Sequence, residues 1–245
     1  MIRLAFLPRP DEMTDNWVAE QTDRFIQDST LSVWNKPFIK DCLLQMSNNK
    51  CSYCECKLGI EDKYIEVEHF LPKSKYPNRV LEWENLLPSC KRCNSEKREF
   101  DPAINPFIHP VHDEPKDHLA YIAYRFTGKT EKGKNSIFEL NLNDRTRLQT
   151  PRFEIASAII EQLDDIQHDI EEALFEVKSL TKFVTRLKNL CNQGLPNNQY
   201  SSIIATELIR AAAFNYIKAA FNEFGLWDIE LQDLEIHLRN IAFLD

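Results

Sequence analysis

Glycine is scarce in this chain, with five residues among 245. So few leave little scope for tight two-residue hairpins, which rely on positive φ, and they favour a helix-rich fold. Long apolar runs are missing too. The stretch from Ile2 to Leu7 is interrupted by Arg3 and closed by Pro8 and Pro10. It reads as no secretory leader, and no run reaches the roughly 20 residues that cross a bilayer. Positive charge is also in deficit, the formal net charge being -8. Phosphate binding is driven by Lys and Arg, so a nucleic-acid protein of this charge has to gather its bases locally. They are gathered: residues 50–99 sum to +1 and the remainder to -9. Within that segment the bases cluster at Lys73, Lys75 and Arg79, and again at Lys91, Arg92, Lys97 and Arg98. With 43% hydrophobic and 28% charged residues, the composition is that of an ordinary soluble globular protein.

Hydrophobic periodicity divides the chain into four segments: 1–49, 50–100, 101–150 and 151–245. Residues 13–47 read as two short helices broken around Thr30 to Pro37. Residues 50–100 have short apolar runs, prolines and paired cysteines, too little to build a core, so a metal staple is expected there. Residues 101–118 read as a loop. Beyond them Tyr121–Phe126 and Ile137–Leu142 are candidate strands. From Pro151 the pattern becomes helical, with apolar residues every three or four positions from Ile155 through Leu174 to Leu190. This is one long amphipathic helix or two in series, ending near Gly194-Leu195-Pro196. A further helix is expected over about Ser202–Phe224, capped by Gly225, and another over about Ile229–Leu244. The fold class expected is α+β, mostly α: a small metal-stapled module between N-terminal helices and a C-terminal helical bundle that also offers a surface for a partner.

In a chain read as intracellular, seven cysteines suggest metal ligands or buried thiols rather than disulfides. Four stand in two knuckles, Cys51-Ser52-Tyr53-Cys54 and Cys90-Lys91-Arg92-Cys93. Two such pairs place four thiolates around one Zn²⁺ in a closed structural site. Cys56, two residues past Cys54, is an alternative fourth ligand. The insert between the knuckles carries Ile65-Glu66-Val67-Glu68-His69, which alternates like a strand and ends by Pro72. An acidic residue followed by His at a strand end serves hydrolysis when a turn brings both to one phosphate. Trp83-Glu84-Asn85-Leu86-Leu87 follows, and Asn94-Ser95-Glu96-Lys97 comes after the second knuckle.

Together, Glu68-His69, Asn85-Leu86 and Cys90-x-x-Cys93-Asn94-x-x-Lys97, with Cys51-x-x-Cys54 upstream, resemble the signature of the HNH endonucleases. The resemblance implies a ββα-metal fold and a set of roles. His69 is the general base, its ordinary pKa near neutrality suiting the task. Glu68 and Asn94 hold one catalytic Mg²⁺ or Mn²⁺, and Asn85 fixes the turn that aims His69. Lys97, with Lys73 or Lys91, contacts flanking phosphates. Two positions depart from the commoner pattern, Glu68 standing where many relatives have Asp and Asn94 where many have His. Cys51-Ser-Tyr-Cys-Glu55, Val67-Glu-His-Phe-Leu-Pro-Lys-Ser74, Trp83-Glu-Asn-Leu-Leu87 and Leu140-Asn-Leu-Asn143 are similar to the HNH subunits of Septu-type anti-phage defence systems, the PtuB family. That likeness covers roughly residues 1–150. It implies a bacterial origin, a role in phage restriction and a partner ATPase encoded alongside. Beside that likeness, the chain is expected in the cytoplasm, with a nucleic-acid substrate, DNA before RNA, and with its C-terminal helices as the docking surface for the ATPase.

Gly128-Lys129-Thr130 does not complete a P-loop, because Ala123 stands where a glycine is required. Any ATP use is therefore expected of another chain. His109, His112, Asp113, Asp117 and His118 read as solvated loop rather than as a second metal site. The alternative function is a zinc-organised nucleic-acid-binding or tethering module without cleavage, which shares the four cysteines but gives no reason for Glu68, His69 and Asn94 to occur together.

Overall fold

The computed structural model describes residues 1–59, 64–173 and 177–244. Chain contacts group them into two compact units, one of residues 1–119 with 126–142, the other of residues 120–125 with 143–245.

The first unit begins with α1 (Asp15–Gln27) and α2 (Pro37–Met46). Thr14 caps α1 by accepting from the Trp17 amide, and Pro37 opens α2 at a position whose N–H has no helical partner. Asn48 and Asn49, both at positive φ, stop α2 and turn the chain into the first knuckle. Strands β1 (Ile65–His69) and β2 (Leu86–Cys90) pair antiparallel, with His69 opposite Leu86 and Ile65 opposite Cys90. Pro88 is tolerated in β2 because the sheet has only two strands. Helix α3 (Lys91–Lys97) starts at Cys90, whose sulfur accepts from the Cys93 amide, so the second knuckle is also the helix cap. This is the expected ββα order, and the α+β, mainly helical class is the one observed.

Past the module, α4 (Pro115–His118) is a single turn, and β3 (Leu119–Ile122) pairs with β4 (Arg125–Gly128). With glycine so rare, the two-residue turn of this hairpin is made by Ala123 and Tyr124 at φ 48 and 63. Ile137–Leu142, expected as a strand, is instead the end of α5 (Glu131–Glu139) and the turn beyond it. Thr130 caps that helix on the Gly133 amide, and the helix already under way overrides the strand-like alternation of Phe138 to Leu142.

The second unit is a helical bundle of α6 (Thr150–Ala173), α7 (Val177–Gln193), α8 (Ser201–Arg210), α9 (Ala212–Glu223) and α10 (Ile229–Ile241). Leu174 lies outside the described residues. Asp169 of α6 is ion-paired with Arg186 of α7. Along one continuous helix 17 residues rise about 25 Å, so α7 packs back beside α6 rather than extending it. The expected single helix over Ser202–Phe224 is broken at Ala211, whose ψ of 131° is extended. Ile159, Leu163, Phe183, Leu187, Leu208, Phe214, Phe221 and Leu238 form a shared core. Among the described residues no helix is long and apolar enough to cross a membrane.

Candidate active site and metal centre

The sulfurs of Cys51, Cys54, Cys90 and Cys93 all lie within 4.8 Å of one another. Cys54 and Cys90 are 3.8 Å apart, which matches the edge, about 3.8 Å, of a tetrahedron with metal–sulfur bonds near 2.3 Å. The donor set fits one tetrahedral metal ion, and among the described residues it is the one such group of close donors. The knuckle turn Cys51–Cys56 is held from below. Glu55, at φ 61, sets its buried carboxylate 2.5 Å from the Met1 amino group and 3.5 Å from Lys50 Nζ. Cys56 is buried beside the same sulfurs. On the opposite side Arg92 donates to Cys93 Sγ at 3.1 Å and to the Leu140 and Asn141 carbonyls. Among the acceptors of a thiolate-rich centre, that guanidinium offsets negative charge.

The hairpin carries the second centre. His69 ends β1 with only 6% of its surface exposed, and its Nε2 donates to the Val80 carbonyl at 3.0 Å. A carbonyl can only accept, so Nε2 holds the proton and Nδ1 is the basic nitrogen. Burial pushes the imidazole down to about 3, with Lys73 and Lys97 acting in the same direction. The ordinary value expected from the residue type is therefore displaced, because β1 tucks the ring inside. Asn85 ties the loop that supplies Val80. Its Oδ1 accepts from Leu71 N at 2.7 Å, and its Nδ2 donates to the carbonyls of Leu71 and Arg79.

Glu68, Asn94 and His69 all line one cavity of about 500 Å³. Lys73 lines it too, whereas Lys91 is exposed at the start of α3 and is absent from the lining. Lys97 differs most from its expected place as a phosphate contact. It is 1% exposed, its Nζ lies 2.6 Å from Glu68 Oε1, and it donates to the His69 carbonyl at 3.0 Å. Periodicity on the short α3 points Lys97 inward, so its ammonium is spent on the hairpin. Burial raises the Glu68 carboxyl to about 7, with the Lys97 ammonium pulling the other way.

Removing that ammonium has a calculable consequence. In Lys97→Met, Glu68 loses its counter-ion and its folded-state pKa rises further above the ordinary 4.5. A carboxyl raised in the folded state stabilises at low pH and costs stability as pH climbs through the folded value. Urea unfolding is expected to show a loss of about 3 kcal/mol at pH 8 that shrinks toward pH 5. A pH-independent loss would contradict this account.

Sequence reasoning missed the far wall of the cavity. Ser32, Trp34, Asn35 and Lys40 come from the loop between α1 and α2 and from α2 itself, and Arg98 and Glu99 also contribute to the lining. An aromatic and a lysine near Pro37 were the available signal, but their spacing matches no pattern. Of the cluster expected as solvated loop, His109 is instead buried and committed to structure: its Nδ1 accepts from the amides of Val111 and His112, and Asp113 accepts from the His109 amide and from Lys132.

Four converging sulfurs at the base of a hairpin, a Glu-His pair at its strand end and an Asn one helical turn into α3 define an HNH-type nuclease domain. The HNH endonuclease family matches residues 51–100. The chain belongs to the Septu PtuB family. It is 39% identical over 234 residues to Septu protein PtuB of Bacillus thuringiensis, covering 93% of this chain and 91% of that protein. A second Septu protein PtuB, from Bacillus mycoides strain KBAB4, is 28% identical over 68% of this chain and 72% of its own length. Protein ea31 of Escherichia phage lambda is 33% identical over 75 residues, 28% of this chain and 24% of that protein.

Proposed function

We propose that this chain is the metal-dependent endonuclease subunit of a bacterial anti-phage defence complex, cutting nucleic acid, DNA in preference to RNA, together with a partner ATPase. The observation that carries the reading is the joint placement of His69, Glu68 and Asn94 on one cavity. A binding module without cleavage has no use for it. The four-cysteine site, with its closed thiolate set, takes Zn²⁺ as a structural ion. The oxygen donors of Asn94 and Glu68 fit a hard ion, Mg²⁺ or Mn²⁺, and with Oε1 on Lys97 the remaining Glu68 donor is Oε2. When bound, that ion supplies Lewis-acid stabilisation of charge developing on the leaving oxygen.

The chain's own residues do the rest. Val80 holds the His69 tautomer, and Nδ1 accepts the proton of the attacking water. The depressed imidazole becomes a useful base as an anionic phosphate enters the cleft, since a nearby negative charge favours the imidazolium. Lys73 meets the phosphate at the cavity wall, and Lys40 and Arg98 extend the basic lining. The -9 carried outside residues 50–99 leaves the isolated chain poorly steered toward phosphate, which gives a partner subunit a role in substrate capture. The bundle α6–α10 is the surface assigned to that partner.

The test is incubation of the protein, alone and with the product of its neighbouring gene, on plasmid and on tRNA with Mg²⁺ or with a chelator. Mg²⁺-dependent cutting of plasmid, stronger with the partner, is the expected result. Salt-sensitive binding with no cutting under any divalent ion would favour the binding module instead.

A further inference from the structure

The part of the cavity lining contributed from outside the hairpin holds an aromatic ring in contact with the proposed base. Trp34 lies in the loop between α1 and α2, outside the residues matched by the HNH family. Its ring centroid is 4.7 Å from that of His69, with the planes at 85°. Buried Phe25 buttresses the indole from behind at 5.7 Å and 75°, and Lys73 Nζ sits 5.2 Å over the same ring. The loop is braced by its own backbone: Asn35 N donates to the Ser32 carbonyl at 3.0 Å and Lys36 N to that of Trp34 at 2.8 Å. Buried Val33 anchors it to the interior.

The hydrogen bond from Nε2 to Val80 holds one edge of the imidazole and leaves the ring able to rock about that contact. A rigid ring set perpendicular to it removes that freedom, at low entropic cost because Trp has few rotamers to lose. We infer that Trp34 is a positioning residue of the nuclease centre, acting through His69 to keep Nδ1 aimed into the cleft. The N-terminal helical segment is then part of the active site rather than an appendage to it. The inference rests on the nuclease reading above. Simple core packing accounts for it less well, since Trp34 is only partly buried and lines the cavity itself.

The experiment compares full-length wild type with Trp34→Ala, Trp34→Leu, Trp34→Phe and His69→Ala on a labelled DNA duplex with Mg²⁺ and the partner chain. Loss of ring alignment is expected to lower kcat of Trp34→Ala by about tenfold to a hundredfold, with KM changed less than about twofold. Trp34→Phe, which keeps an aromatic face, restores most of it. If Trp34→Ala fails to fold, Trp34→Leu, which keeps the apolar bulk but no ring, takes its place. Two-bond ¹H–¹⁵N spectra of the imidazoles give an independent readout: one Nε2–H tautomer for His69 in wild type, and a tautomer mixture in the Ala or Leu variant. Wild-type kcat in those variants, a Phe variant no better than Leu, or an unchanged His69 tautomer signal would overturn the inference. A wild type that does not cut removes the nuclease reading, while the tautomer spectra still decide whether the indole orders the ring.

Discussion

Replacing His69 by alanine is expected to slow cleavage by at least about a hundredfold while the protein stays folded, since a positioned general base contributes about 10²- to 10⁴-fold. The imidazole is the cavity's one group with a basic nitrogen fixed by a partner on its other side, the Val80 carbonyl. Neither Asn94 nor Lys97 can substitute, the first being a neutral amide and the second consumed by Glu68. The structural cost is limited. Val80 O loses its donor and Trp34 loses a neighbour, worth about 1–3 kcal/mol where the carbonyl stays dry. Affinity for substrate should be kept, because Lys40, Lys73 and Arg98 are untouched. Single-turnover cleavage beside a binding isotherm measures both. Cleavage equal to wild type would end the assignment of His69.

Stripping the metal from the four-cysteine site is expected to melt the hairpin and α3 while leaving α6–α10 intact. Structural zinc sites bind with about 10–16 kcal/mol, comparable to or above the whole stability of a small domain. The elements the site holds are two five-residue strands and a seven-residue helix, too short to persist alone. The bundle differs in kind, with a core of its own built from Leu163, Phe183, Phe214, Leu238 and their neighbours. Hydrogen exchange after complete chelation should therefore rise sharply across 51–54 and 86–97 and stay slow in α6 and α8. Cys93→Ser should behave alike. Unchanged exchange in the hairpin would show that the sulfurs are not its staple.

The reason the module could be read from sequence is that its determinants are local. Two C-x-x-C spacings and a strand-like run ending in Glu68-His69 each announce themselves within a few residues. The bundle was legible by its period, although Ala211 breaks a helix whose apolar pattern runs on through it, and Asp169 had to meet Arg186 to show that α6 and α7 double back. What the sequence concealed depends on distant contacts. Lys97 looks like any basic residue at the end of a helix until Glu68 is found beneath it. Trp34 looks like a loop aromatic until β1 brings His69 against it. The strand expected at Ile137–Leu142 failed for the converse reason: its local apolar content was real, but Thr130 had already started a helix.

Arg92 bears on how the module can be transplanted. Four thiolates on a divalent ion leave two surplus negative charges, and this guanidinium answers one of them while its other nitrogen grips the carbonyls of Leu140 and Asn141. An excised fragment of residues 51–100 would keep every ligand and every proposed catalytic side chain, yet lose the tether that parks the counter-charge. Grafting this nuclease into another scaffold therefore calls for carrying the stretch from Trp34 through residue 142, or for supplying a substitute clasp at its far end.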